Sequence, residues 1–214
     1  MAALLGLGLS LRPGPAPATI EDQRSRLPPP AFDCGGDPIV GVWQAHAYYA
    51  HVRQWYRFEL TIEHDPDASE AGRLRGSIRS EFWDGGPERA EPPTCASGVD
   101  RSAVIERATG RHDGLTLELD AVDWRDLEAC GPHPGGYLLD HFAGTVDPER
   151  MEFQSLLNAD APEWRDVPTV FRRVRCGPAP AGDEAEEPRV RVAPPPYEPP
   201  DERGGCGLRD TPRR

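Results

Sequence analysis

Between residues 40 and 175, apolar side chains recur at every second position and polar ones fill the gaps. In 55–63, Tyr56, Phe58, Leu60 and Ile62 fall on one face, with Arg57, Glu59 and Thr61 on the other. Leu74, Gly76, Ile78, Ser80 and Phe82 share a face opposite Arg75, Ser77, Arg79 and Glu81. Leu115, Leu117, Leu119 and Ala121 repeat the pattern against Thr116, Glu118 and Asp120. A period of two marks half-buried antiparallel strands. Further strands are predicted at 40–48, 103–108, 137–146, 151–158 and 167–175, with turn-forming runs at 65–72, 109–114 and 147–150. No stretch of this region keeps a helical period. Eight strands joined mostly as hairpins form a meander, and closing it removes both exposed edges. The predicted fold is all-β: an antiparallel, up-and-down, eight-stranded closed barrel over residues 36–176.

Composition delimits that domain. The chain has 214 residues with 25 Pro and 22 Gly, unevenly spread. Residues 177–214 carry nine of the prolines and almost no large apolar side chain. They cannot bury enough surface to offset their ordering entropy, so a disordered tail is predicted. Residues 19–35 read as a Pro-rich linker. Residues 1–18 read as a truncated secretory signal: an apolar run of about ten residues, then Ala16-Pro17-Ala18 as an A-x-A cleavage site, without a positive n-region. The run is too short to span a bilayer.

Charge narrows the partners. The formal net charge is −12. The tail contributes −2 (eight acids, six arginines) and residues 1–33 are balanced at three of each, so −10 falls on the barrel segment. A field of that sign disfavours nucleic acid and anionic membrane surfaces. Every basic residue is arginine, which removes Schiff-base, pyridoxal phosphate and phosphate-loop lysine chemistry. No cofactor motif occurs.

Five cysteines, at 34, 95, 130, 176 and 206, show no zinc-ligand spacing. In an up-and-down barrel, the start of strand 1 and the end of strand 8 meet at one rim, where Cys34 and Cys176 fall. The loops after strands 3 and 5 meet at the other rim, and they hold Cys95 and Cys130. The topology therefore predicts the disulfides Cys34–Cys176 and Cys95–Cys130, which a β-sandwich accommodates with less economy. Disulfides imply an oxidising compartment: secreted, periplasmic or cell envelope. Cys206 is left over in the tail.

Gly41-Val42-Trp43 opens the first strand and Phe171-Arg172-Arg173 sits on the last. This pair resembles the calycin pattern of lipocalin-like barrels, in which a G-x-W tryptophan packs beneath an arginine from the final strand. The resemblance implies a barrel floor made by Gly41 and Trp43 with Arg172 or Arg173, stacking guanidinium on indole. It also implies a small-molecule binding function.

Trp83, Trp124 and Trp164 are predicted at the opposite rim, the last two in repeated W-R-D tripeptides with Arg125 and Arg165. Aromatic and arginine side chains at a barrel mouth suit a small ligand. No catalytic residue emerges. The acid pairs Asp123/Asp126 and Asp160/Glu163 are expected in so acidic a chain, and no G-x-S-x-G elbow occurs. His141, in Leu138-Leu139-Asp140-His141-Phe142, is the one attractive axial haem ligand, although a polar residue near the core is the simpler reading. Asp65–Glu70 has the first half of a calcium loop and lacks the rest. Pro194-Pro195-Pro196-Tyr197 matches a WW ligand and reads here as a polyproline spacer. The expected function is an extracytoplasmic lipocalin-like binding protein for a small apolar or amphipathic ligand. The alternatives are a cell-envelope interaction module, with a partner protein held through the tail, and an enzyme on the same scaffold. Intact-mass measurement of protein from an oxidising compartment checks the cysteine argument: the mass should be two hydrogens lower for each of the two bridges, and an unshifted mass would refute it.

Overall fold

A computed structural model describes residues 19–32, 34–35, 37–95, 100–130 and 136–177. The predicted signal segment and, from residue 178 on, the predicted tail with Cys206 and Pro194–Tyr197 lie outside the described residues. The described chain forms a closed antiparallel barrel of eight strands in sequence order: β1 (Gly41–Tyr49), β2 (Gln54–His64), β3 (Arg73–Asp84), β4 (Arg101–Asp113), β5 (Thr116–Ala129), β6 (His141–Asp147), β7 (Glu152–Asn158) and β8 (Val167–Arg175). The all-β, up-and-down reading of the sequence holds.

Three local readings change. Strands β4 and β5 run longer than the alternation indicated, because their hairpin turns on only two residues, Gly114 and Leu115. Gly114 supplies the positive φ (58°) that so short a loop requires. Leu115, assigned by alternation to the inner face, lies in that turn and is exposed. Strand β6 begins at His141, so 136–140 is irregular and free to aim its side chains independently of a pleat.

The period-two face is the core. Trp43, Ala45, Ala47 and Tyr49 of β1 meet Tyr56, Phe58, Leu60 and Ile62 of β2 and their counterparts around the ring. Phe58, Phe142, Phe153 and Phe171 fill the middle of the barrel by edge-to-face and stacked contacts, with centroids 4.9–5.7 Å apart along Phe58–Phe142–Phe171–Phe153. At the floor, the Arg173 guanidinium lies 5.7 Å from the Trp43 ring, and the Trp43 indole N–H donates to Ile39 O at 2.9 Å. Arg173 is the inward arginine; Arg172, on the outer side, pairs with Glu152 at 2.8 Å. Gly41 is required here. Its φ is 142°, and a Cβ on it would lie 2.6 Å from Arg175 O and 3.1 Å from the Arg173 side chain. The disulfides are Cys34–Cys176 at this rim and Cys95–Cys130 at the opposite one, as the topology predicted.

Closure is incomplete without the segment read as a linker. β1 and β8 pair only through Val42–Arg175, Trp43–Arg173 and Gln44–Arg172, so the upper part of β8 has no strand partner on this side. Residues 20–25 form a short helix, α1 (Ile20–Ser25), started by a Thr19/Asp22 capping box. From it the Gln23 side chain enters the seam. Its amide donates to Pro168 O and its carbonyl accepts from Val170 N, both at 2.9 Å. Pro168 has no N–H to offer a strand, so a side-chain amide fits where a ladder would leave a gap. The Arg24 side chain fixes α1 through the buried Glu152 at 2.9 Å. Replacing Gln23 with Ala strands a buried donor and acceptor and should destabilise the domain by about 2–3 kcal/mol; chemical denaturation reads this directly, and a change below about 0.5 kcal/mol would show that water satisfies the seam instead.

Candidate functional site

The upper half of the barrel carries an acidic pair. Glu106 lies on β4 between Val104 and Ala108, and all three are buried. It opposes Ile78 on β3 and Trp124 on β5, so its side chain is held at core depth by two ladders. Asp140 arrives from the irregular segment 136–140, whose last carbonyl accepts from Ala121 N at 3.0 Å. Asp140 N donates to Glu106 Oε1 at 3.0 Å. Asp140 Oδ2 accepts from Ser80 Oγ at 2.9 Å and from the Tyr137 hydroxyl at 2.7 Å. Glu106 Oε2 is buried and receives no donor among the described residues.

Burial is the main cause that lifts both carboxyls above their ordinary range. For Glu106, the charge of Asp140 and a carboxyl–carboxyl hydrogen bond act in the same direction. For Asp140, the hydrogen bonds from Glu106, Tyr137 and Ser80 oppose it. Glu106 therefore keeps its proton and donates it to Asp140, which also receives the Tyr137 and Ser80 hydroxyls. Burial, then the Asp140 charge, raises the Tyr56 and Tyr137 hydroxyls as well, so both stay neutral.

Aromatic rings surround the pair on its upper side. Phe82 stacks on Tyr137 at 5.6 Å, and Tyr137 meets Trp124 at 5.9 Å; all three rings are half-buried. Tyr56 stacks on Phe82 at 5.4 Å. Trp164 closes the mouth from the β7–β8 connector, on a 3₁₀ turn (Pro162–Trp164). Its ring lies 5.1–5.3 Å from Tyr49, His51 and Tyr56.

The residues predicted for the mouth divide accordingly. Trp124 and Trp164 face this site. Trp124 does so because a register shift between Arg107 and Ala108 turns the phase of β5, which also aligns Arg125 with Ile105 on the alternate side. Arg165 is exposed, as are Asp160 and Glu163 on the same connector. Trp83 does not reach the mouth. It lies buried on the outer surface, stacked with Trp55 at 6.4 Å, and donates to Arg89 O at 2.9 Å, while the Trp55 indole donates to Gly86 O at 2.9 Å. These two tryptophans hold the β3–β4 connector down. His141 pairs with Asp120 at 3.1 Å on the outer side of β6. Asp123 pairs with Arg107 at 2.6 Å. The loop at 65–70 closes on itself through Asp65, which accepts from Asp67 N at 3.1 Å and from Ala68 N at 3.4 Å. Among the described residues, the one grouping of three metal-ligating side chains is Cys95, Glu128 and Cys130, and its two sulfurs are bonded to each other.

Compared with models of protein families, with curated proteins and with solved structures, the chain matches none. The barrel is compatible with a calycin-like fold, and its two disulfides with an oxidising extracellular environment. No described helix is long and apolar enough to cross a membrane.

Sequence reasoning missed Glu106, Asp140 and Tyr137. The first had a signal: Glu106 occupies the apolar phase between Val104 and Ala108. The other two had none, because they come from an irregular segment.

The raised Glu106 value fixes a pH dependence. The native state keeps a proton that the unfolded chain releases near the ordinary value of 4.5, so stability is fully present below that pH and declines as pH rises toward the native value. For one proton in a domain of this size the melting temperature should fall by roughly 3 °C per pH unit above about pH 5. Glu106→Gln keeps the acceptor for Asp140 N, carries no proton to lose, and should flatten the profile. A slope unchanged by this substitution would assign the dependence to other groups.

Proposed function

We propose that the domain is an extracytoplasmic, calycin-like binding protein that takes a small amphipathic molecule into the upper half of its barrel, in the space the Trp164 indole fills. The observation that supports this reading is a buried carboxyl pair, Glu106 and Asp140, with no arginine or histidine hydrogen-bonded to it among the described residues, set among the Tyr56, Phe82, Trp124 and Tyr137 rings, with Trp164 packed on Tyr56. Buried carboxyls cost stability, and a purely structural barrel gains nothing from them that a hydrophobic pair of similar volume would not supply. Their place beneath a mouth lined by Tyr56, Phe82, Trp124 and Tyr137 is where a ligand's polar group would be read. The aromatic walls supply apolar contact, and the carboxyls orient.

Closure by Trp164 is compatible with entry. The connector 159–166 is held by short-range bonds: Ala159 N to Trp164 O at 3.1 Å, Trp164 N to Ala161 O at 3.0 Å, and Asp166 N to Asn158 Oδ1 at 3.1 Å. Asp166 has a positive φ of 54°, a conformation with a modest cost for a residue other than glycine. An incoming apolar group that takes the place of the indole would pack against the same Tyr49 and Tyr56 rings.

The neutral dye N-phenyl-1-naphthylamine tests this. Wild-type protein should bind it with micromolar affinity and quench tryptophan emission. Trp164→Ala should bind about tenfold tighter, because the indole no longer competes for the space, while melting several degrees lower. Absence of binding in both proteins, each shown to be folded, would refute a pocket and favour an interaction module with a solid core.

A further inference from the structure

We propose a second binding site on the outside of the barrel: an arginine-lined groove that takes a small organic anion with a flat aromatic body. Its carboxylate is received by Arg24 and Arg150, and its ring lies against Phe32.

The groove lies where the segment before β1 crosses the floor ends of β7 and β8. It holds about 440 Å³, and its lining includes Glu21 and Arg24 of α1, Phe32 of the segment that follows, Arg150 of the β6–β7 turn, Glu152 of β7 and Arg172 of β8. That volume is in the range of small-molecule sites. None of these residues belongs to the mouth of the barrel.

Its charge runs against that of the chain. The formal net charge is −12, yet three guanidiniums and two carboxylates line the groove. The buried Glu152 has both oxygens engaged in the floor: Oε2 accepts from Arg24 Nε at 2.9 Å and Oε1 from Arg172 Nη2 at 2.8 Å. Donors remain beyond these. Arg24 Nη1 reaches Glu21 at 3.3 Å, a carboxylate 83% exposed and one turn away on the same short helix. Such a surface pair is worth little and yields readily. Arg172 Nε is buried and has no acceptor among the described residues. The Arg150 side chain is 60% exposed, and the carboxylate it pairs with, Asp147, stands at 3.8 Å, beyond hydrogen-bonding range. An incoming carboxylate therefore displaces Glu21 from Arg24 and gains Arg150.

The aromatic part follows from Phe32. At 56% exposure it is the most exposed large apolar side chain among the described residues. Its backbone is nonetheless fixed. Ala31 N donates to Arg173 O at 2.8 Å, Phe32 O accepts from Cys34 N at 2.9 Å, and the Cys34–Cys176 disulfide stands two residues on. A ring presented to water on an anchored backbone is pre-organised for a flat partner.

Other ligand classes fit less well. A metal ion or organic cation would meet three guanidiniums, with Glu152 already held by two of them. A neutral aromatic would use Phe32 and leave the arginines as they are. Inorganic phosphate would use the arginines and leave Phe32 uncovered.

The fluorescent anion 2-naphthoate and its uncharged isostere 2-naphthamide separate these contributions, with binding to the full chain read by fluorescence anisotropy. Naphthoate should bind at least about fivefold tighter at low salt, and the margin should shrink as ionic strength rises. Arg150→Ala should remove most of that preference. Glu21→Gln should strengthen naphthoate binding about threefold, because Arg24 loses a competing carboxylate, an effect that a purely structural role does not produce. Phe32→Ala should weaken both ligands about fivefold. All three side chains are exposed, so melting temperatures should stay within about 2 °C of wild type. Equal affinity for the two ligands, or a naphthoate preference unchanged by both Arg150→Ala and Glu21→Gln, overturns the anion site. Inorganic phosphate that binds as tightly as naphthoate, and is insensitive to Phe32→Ala, overturns the aromatic part in favour of a simple anion site. Naphthoate binding that responds to Trp164→Ala and not to Phe32→Ala places the ligand in the barrel and refutes the groove while supporting the pocket. Failure of both naphthalene ligands refutes the groove, and the neutral dye then decides the pocket separately.

Discussion

Everything inside this protein depends on how the ring of strands is closed. Seven of the eight neighbouring pairs are consecutive in the chain and set their register locally, but β1 and β8 meet across the whole length of the domain through three residue pairs. So short a ladder does not close a barrel unaided. The chain adds Arg173 over Trp43 at the floor, a disulfide between residues 142 positions apart, a hydroxyl pair between Tyr49 and Thr169 at 2.8 Å, and the Gln23 amide outside. The disulfide acts mainly on the unfolded state, by shortening a long loop, whereas Gln23 acts on the native state, by pairing backbone groups that the divergence of the strands exposes. Gly41 belongs to the same device, because only a residue without Cβ lets β1 approach the end of β8.

Closure also sets the terms for the interior. An eight-stranded barrel has a lumen just wide enough for side chains, so every inward position is desolvated and every polar one stands out. Around most of the ring the inward positions are aromatic or aliphatic. Glu106 and Asp140 break that rule together, at a depth where two ionised carboxyls cannot coexist without a countercharge. Their partners are few and neutral, in contrast to Glu152, whose two arginines make it an ordinary structural ion pair. A local violation of this kind, two buried carboxyls sharing a hydrogen bond without a countercharge, is what supports the proposed binding role.

How much of this could be read from the sequence follows from where each signal lives. Strand identity and barrel closure were legible because alternation is a local property and because the four cysteines impose non-local pairs that few topologies satisfy together. The outward direction of Trp83 was legible too: it shares the face of Glu81 and Arg79, and only its proximity to a loop suggested the mouth. Trp124 was not, since simple alternation from Leu117 turns Arg125 inward and the bulge beside Arg107 reverses it. The choice between Arg172 and Arg173 needed the β7–β8 register, which aligns Phe171 with Phe153 and so turns Arg173 inward. Gln23 was illegible, because the gap it fills exists only once β1 and β8 have diverged.

The two sides of the mouth are built with different stiffness, and under the proposed binding role this bears on how a ligand would enter. On one side the β3–β4 connector is fastened three times: by the Trp55 and Trp83 indoles, by Arg101, which is held between Glu81, Glu128 and Pro93 O, and by the disulfide from Cys95 to Cys130. That disulfide also ties it to the end of β5, so the wall carrying Trp124 is rigid. On the other side the Trp164 connector is held by bonds within itself and by the packing of one indole. Local opening follows the weakest set of contacts, so the Trp164 side yields first while the acid pair and its aromatic wall keep their geometry. Under the proposed binding role, such a site would bind with little reorganisation of the groups that recognise the ligand, and the energetic cost of admission would fall on a side chain whose apolar contacts the ligand itself replaces.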